Sequence, residues 1–354
     1  MSLRRSMLGT SSADLAQLSA LVSAKFRVAK EAGDVYYFDS QVRTARPVDA
    51  TAAQCVPWSV RTVPALLHKP SNKGKDAGAR EFHDVFAPPY APNMLVAELP
   101  DYTVLLNKFC VLPEHALLVT REFVPQDLPP TPAMLALVYK IICAHEARAE
   151  HGEAFAFFNC GALSGASQPH CHFQLVEVGA RDGVALPIET LLESIPRDGD
   201  EYRHTHMLPT PWQHFVALLE PQADDRVEEY IGGRFMQALD SMFQERMLLL
   251  DRDGGAVPAG RPSFSVLVTR RALHVVPRRT DAFSVRDARW APFDGADVPE
   301  NTGMLSVNAM GYAGFMLTRH AAEADALLDE RNERIAHVLA HTGMPPVSAA
   351  AAEQ

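Results

Sequence analysis

A chain of 354 residues with 47% hydrophobic and 21% charged side chains carries enough apolar mass for one large core or two fused lobes. No apolar run approaches the roughly 20 residues of a membrane helix, and a net charge of −10 argues against a general nucleic-acid surface, which needs clustered Lys and Arg. Five cysteines, an odd number with no Cys-x-x-Cys pair, indicate neither a disulfide framework nor a zinc ribbon.

Arg4 and Arg5 precede a Leu-, Ala- and Val-containing segment, as in a signal peptide, but Asp14, Gln17 and Lys25 interrupt it. It scans instead as an amphipathic helix over residues 12–30, with Leu15, Leu18, Leu21, Val22 and Phe26 on one side and Gly33 as its stop. The expectation is a cytoplasmic protein with no nucleic-acid or membrane partner. Residues 35–38 and 56–63 read as strands. Residues 66–80 form a Gly-punctuated basic loop in an acidic protein. It is either a solvated surface loop or a mobile lid whose Lys69, Lys73 and Lys75 neutralise a polyphosphate.

Strands follow at 102–106 and 116–119, joined through Pro113 and His115; taken alone, His115 reads as an ordinary turn residue. Thr131 caps a helix in which Met134, Leu135, Val138, Ile141 and Ile142 recur at helical spacing. A strand at 155–158 then delivers Asn159 into the stretch discussed below. Farther on, short helices are expected at 187–195 and 211–219. A long helix is traced by Val227, Ile231, Phe235, Leu239, Met242 and Phe243, with Gly232 and Gly233 weakening its start. Residues 251–258 read as a turn, residues 319–341 as a last helix, and the alanine-rich end as disordered.

The stretch from Asn159 to Gln174 organises the rest. Its last part alternates, so a strand would line up His170, His172 and Gln174 on one face and turn Cys171, Phe173 and Leu175 to the core. Before it, Gly161, Ser164, Gly165, Ala166 and Ser167 supply small side chains and open N–H groups, which let a backbone approach an anion. Two His at i, i+2 can hold a metal, but zinc wants three or four good ligands and Gln174 is a poor one. The pair can also merely satisfy a sheet. With the small-residue loop before it and Gln174 after it, the row fits a histidine nucleophile, because neutral imidazole is a competent nucleophile near pH 7.

Residues 161–174, together with 106–123 and 305–317, resemble the diadenosine tetraphosphate phosphorylases (ATP adenylyltransferases), the branch of the histidine-triad superfamily in which Gln replaces the third His. Galactose-1-phosphate uridylyltransferases share the His-x-His-x-Gln core. The resemblance implies an α+β fold of two fused histidine-triad-like lobes, each an antiparallel sheet with flanking helices. Residues 1–185 would be the catalytic lobe, 186–255 a helical linker, 256–345 a second lobe and 346–354 a disordered tail. Short internal matches accord with two related lobes: 102–106 with 264–268, and 157–159 with 306–308. The second copy lacks His-x-His-x-Gln and would be catalytically silent.

What the resemblance implies about chemistry is nucleotidyl transfer: diadenosine tetraphosphate and phosphate give ATP and ADP, reversibly, through a nucleotidyl group on His172. His170 would orient the catalytic strand, His115 would lie near the nucleophile, and Gln174 would favour transfer over hydrolysis. Asn107, Asn159, Ser164, Gly165, Ala166, Ser167 and Gln168 would join Lys69 and Lys73 in binding substrate. Mg2+ is expected to ride on the polyphosphate, no dedicated metal site is expected, and the two lobes favour a monomer. The alternatives are a hexose-1-phosphate uridylyltransferase, whose usual prolines are replaced here by Cys171 and Phe173, and a non-catalytic nucleotide-binding regulator.

Overall fold

A computed structural model describes residues 7–37, 40–45, 52–64, 83–147, 152–178, 186–253, 260–287, 298–300, 302–329, 331 and 333–347. In chain order the N-terminal half contains α1 (Ser12–Leu15), α2 (Leu18–Ala32), β1 (Tyr36–Tyr37), β2 (Gln41–Thr44), β3 (Ser59–Thr62), β4 (Leu95–Glu98), β5 (Tyr102–Leu106), β6 (Phe109–Cys110), β7 (Ala116–Thr120), α3 (Pro132–Glu146), β8 (Glu153–Cys160) and β9 (His172–Val178). A 3-10 turn at Pro187–Ser194 leads to β10 (His206–Met207), β11 (Phe215–Leu218), α4 (Val227–Asp253), β12 (Phe264–Val268) and β13 (Ala272–Pro277). Then come β14 (Ala282–Ser284), β15 (Met304–Ser306), α5 (Ala309–Ala313), β16 (Phe315–Thr318), α6 (Ala321–Leu327) and α7 (Glu333–Thr342).

The fold is α+β, and the strands of the two lobes join in one nine-stranded sheet of order β10-β11-β13-β12-β8-β9-β7-β5-β4, antiparallel throughout. The seam is β8 against β12, where Asn159 pairs with Ser265 and Phe157 with Leu267. Each face has its own apolar set, as the period of two requires. On one face Phe158, Phe173, Leu175, Val266 and Val275 pack against Leu135, Val138 and Ile142 of α3 and Ile231, Phe235 and Leu239 of α4. On the other, Phe155, Phe157, Val176, Leu267 and Val276 pack under Tyr312, Phe315, Ile335 and Leu339 of the C-terminal layer. Farther along that second face, Leu105, Leu117 and Val119 are covered by Phe86, Tyr90 and Leu95. His172 pairs with Val119, and Gln174 with both Leu117 and Phe157, so these polar residues lie where one apolar cover ends and the next begins.

Local signals explain several elements. The Thr131 hydroxyl accepts from the Met134 N–H at 3.2 Å, with Pro132 at the first helical position, so α3 begins where its cap places it. In α4, a side chain at Gly232 would bring its Cβ within 2.9 Å of Pro132, so this glycine permits the close crossing of α3 and α4.

Five expectations are corrected. Residues 211–219 are not a helix, because Phe215–Leu218 pairs with β13 and is buried on both sides. A short apolar run covered on both faces has no polar period to distinguish strand from helix. The stretch 186–255 is accordingly not a purely helical linker, since it contributes β10 and β11 to the large sheet. The first helix breaks after Leu15, where the Gln17 N–H bonds back three residues to Asp14. The last helix is two, because the Asp329 carboxylate accepts from the N–H groups of Arg331, Glu333 and Arg334 and starts α7 afresh. Finally, 251–253 are the last residues of α4 and not a turn. The internal match holds for the hairpin strands β12 and β13, but β15 leaves the large sheet to pair with β14, and Asn308 caps α5. Of the C-terminal tail, residues 348–354 lie outside the described residues, while the Val347 N–H is held by Glu245 of α4 at 3.0 Å.

Candidate active site

His172 opens β9 and is 3% exposed. Its Nδ1 lies 2.8 Å from the carbonyl oxygen of His170. A carbonyl only accepts, so Nδ1 carries the proton and Nε2 keeps its lone pair. Burial pushes the His172 pKa down to about 4, against an upward pull from the His170 carbonyl bond and with a lesser downward one from the His170 charge. The ring is therefore neutral at pH 7. The Phe86 ring meets it edge to face with centroids 5.1 Å apart.

Both ring nitrogens of His170 are engaged by neighbouring oxygens. Its Nδ1 contacts an Asp84 carboxylate oxygen at 2.7 Å, and its Nε2 lies 2.8 Å from the Thr120 carbonyl, 3.0 Å from the Thr120 hydroxyl and 3.2 Å from the Glu122 carbonyl. The second Asp84 oxygen accepts from the Phe86 N–H at 3.0 Å. Asp84 thus ties the segment that covers His172 to the residue that orients its strand. Cys171, between the two histidines, faces the core with its sulfur 3.8 Å from that of Met134, and burial pushes its thiol up to about 12.

Gln174 is half-buried on the same face as His172, two residues farther along β9. His115 is not beside the nucleophile, contrary to what the resemblance implies. It lies four residues before Val119, the cross-strand partner of His172, or about 13 Å along the strand. There it is buried against Phe157, with the Asn107 amide 3.4 Å from its Nε2, while the Asn107 oxygen accepts from the Phe109 N–H at 3.0 Å.

The small-residue loop divides into a buried root and an open rim. The Asn159 side-chain oxygen accepts from the Ala309 N–H at 2.9 Å, so this residue joins the lobes. Ser164 is fully buried and its hydroxyl donates to the Gly161 carbonyl at 2.6 Å, which removes it as a ligand donor. Gly165 has φ +83°, and a Cβ there would come 3.0 Å from the Val307 carbonyl, so both backbone and space demand glycine. Beyond it, the backbone N–H groups of Gly165, Ala166, Ser167 and Gln168 make no hydrogen bond to described residues, and Ser167 is exposed. This rim is what can meet an anion. Lys69 and Lys73, with Lys75, lie outside the described residues.

Sequence reasoning missed four residues here: Asp84, Phe86, Gln126 and Arg278. The Arg278 guanidinium is buried in a web of oxygens. It donates to the carbonyls of Ser164 at 3.1 Å, Val307 at 2.7 Å, Thr280 at 3.0 Å and Thr342 at 3.3 Å, and to the Ser265 hydroxyl at 3.1 Å. It stacks on Tyr312 at 4.8 Å, and it clasps the root of the loop to the C-terminal lobe. Gln126 is 4% exposed, and its amide bridges Asn159 and His172. None of the four sits in a periodic or capping pattern, so no local signal could have found them. The site they complete offers a neutral Nε2 nucleophile, an open row of N–H donors and a neutral amide.

Residues 12–194 match the family described as Ap4A phosphorylase N-terminal domain, and residues 209–345 match that described as ATP adenylyltransferase C-terminal domain. Diadenosine 5',5'''-P1,P4-tetraphosphate phosphorylase 2 of Saccharomyces cerevisiae is 28% identical over 332 residues, covering 88% of this chain and 90% of that protein. Protein APA1 of the same yeast is 26% identical over 348 residues, covering 94% and 96%. The crystal structure of the yeast Ap4A phosphorylase Apa2 in complex with AMP superposes with a TM-score of 0.67 at 25% identity, over 93% of this chain and 97% of that one.

Proposed function

Because the chain belongs to the Ap4A phosphorylase family, we propose that it catalyses the reversible phosphorolysis of diadenosine tetraphosphate (Ap4A) by phosphate to ATP and ADP. The observation that carries this reading is the state of His172: its Nδ1 proton is held by the His170 carbonyl and burial keeps the ring neutral, leaving Nε2 to attack phosphorus. In the first step Nε2 bonds to the α-phosphorus, the bond from that phosphorus to the bridging oxygen breaks, and ATP leaves with the bonding electrons. A polyphosphate leaves as a stable anion, so the site needs no strong acid there, and Gln174 supplies a hydrogen bond without a titrating proton. In the second step a phosphate oxygen attacks the same phosphorus from the open side, ADP forms and His172 is restored. The free N–H groups of Gly165 to Gln168 stand ready to neutralise the oxygens of the transferred group.

Mg2+ belongs to the same proposal as a companion of the substrate, held by polyphosphate oxygens. Among the described residues no group of three or more His, Cys, Asp or Glu could hold a metal ion. A cytoplasmic, monomeric enzyme completes the reading. The test is brief exposure of the protein to Ap4A without phosphate, followed by mass spectrometry. An added adenylyl group on His172 with release of one ATP is expected, and His172→Asn should show neither while still binding AMP. Wild-type turnover by His172→Asn sinks the mechanism.

A further inference from the structure

Continuing the register of β8 and β9 beyond Phe157↔Gln174 would place Asn159 opposite His172, yet the ladder stops before that pair. In an antiparallel ladder the His172 N–H would reach the Asn159 carbonyl directly. Here an amide stands between them: the His172 N–H donates to the Gln126 Oε1 at 2.8 Å, and the Gln126 Nε2 donates to the Asn159 carbonyl at 2.9 Å. The same Nε2 lies 3.4 Å from the His172 carbonyl. Gln126 cannot drift, because residues 124–126 run beside 169–171. The Cys171 N–H bonds the Val124 carbonyl at 2.7 Å, and the Gln126 N–H bonds the Pro169 carbonyl at 2.8 Å.

From this arrangement we infer that Gln126 is the positioning residue of the nucleophile: its carboxamide is a spacer that spreads β8 from β9 at His172 and so sets the width of the cleft between the imidazole and the small-residue loop. The inference rests on the phosphorolysis reading above. A phosphoryl group must enter between Nε2 and the N–H groups of residues 165–168, and a directly paired ladder would draw the root of that loop onto the catalytic strand. The spacer also reaches the other lobe, since Asn159, whose carbonyl it holds, grips the Ala309 N–H with its side chain. Both partners of Gln126 are main-chain groups with few ways to relax. Removing the amide leaves a buried donor and a buried acceptor unmet, which favours closing of the strands onto each other.

The test is the single-turnover rate of ATP release from Ap4A without phosphate, together with AMP affinity and thermal melting. If wild type forms no adenylyl-enzyme, the phosphorolysis reading fails and not the spacer. Given that wild type does, Gln126→Ala should slow adenylylation about 10²-fold, the cost of a misplaced reacting group, and should weaken AMP as the cleft narrows, while the melting temperature reports whether the fold itself is kept. A wild-type rate in Gln126→Ala overturns the inference. Should that variant fail to fold, Gln126→Glu decides. Its carboxyl, when protonated, accepts from the His172 N–H and donates to the Asn159 carbonyl as the amide does; once ionised it can no longer donate. Gln126→Glu should therefore approach the wild-type rate at low pH and lose it through an alkaline limb that wild type lacks. A profile parallel to wild type refutes the spacer role.

Discussion

The state of His172 predicts an unusual pH dependence for the first half-reaction. An ordinary histidine with a pKa near 6.5 would be only about 9% neutral at pH 5.5, and a step that needs the free base would slow about 11-fold relative to its plateau. With its pKa pushed down to about 4 by burial, His172 is still about 97% neutral at pH 5.5 by the same relation. Ap4A has no terminal phosphate, so between pH 8 and 5, above the range in which adenine takes up a proton, the enzyme sets the profile. The assay is rapid-quench measurement of ATP release without phosphate, with the enzyme jumped from pH 7.5 to each test pH so that slow acid inactivation does not enter. A flat rate from pH 8 to about 5 is expected, with an acid limb only near pH 4. A limb centred near 6.5 would refute the reasoning, because it would mean that the imidazole is solvated and that the His170 carbonyl and the Phe86 cover do not seal it.

Three further outcomes are expected. Gln174→His should raise the share of AMP formed by hydrolysis relative to ADP, because a positioned proton donor or acceptor contributes about 10²- to 10⁴-fold; an unchanged AMP share at fixed phosphate, read by chromatography, removes Gln174 from the partition. Arg278→Met should lower the urea midpoint strongly, since four buried oxygens and a half-buried one lose their donor, at about 1 kcal/mol or more for each buried one; an unchanged midpoint would show that the clasp carries no load. The third concerns acid stability. The Trp212 N–H donates to His214 Nδ1 at 3.3 Å, His214 Nε2 faces His274 Nδ1 at 3.1 Å, and burial holds the His274 pKa down to about 3 and that of His214 well below its ordinary value. For such a depressed base the unfolded chain binds the proton first, so stability is full above pH 6.5 and falls as the pH drops below it. Between pH 7 and 5 His274 should remove about 2 kcal/mol. His274→Gln should shrink the acid loss by that amount in denaturation at both pH values, and an equal loss in variant and wild type would contradict it.

The sequence by itself determined what periodicity and short-range chemistry can carry. The alternation from His170 to Leu175 placed His172 and Gln174 on one face and Phe173 in the core, because a period of two is a property of any strand. Thr131 and Pro132 located the start of α3, because a cap acts within three residues. Where the cue was local but ambiguous, the reading failed: Phe215–Leu218, apolar throughout, became a central strand only because β13 and α4 cover it. The tertiary structure alone decided the rest of the site. Gln126 lies 46 residues from His172, Asp84 lies 86 from His170, and Arg278 lies 114 from Ser164. Each contact exists because a buried polar group takes whichever partner the folded chain brings within about 3 Å, and no spacing in the sequence records that choice. The lowered pKa of His172 has the same origin, since desolvation is a property of everything packed around the ring.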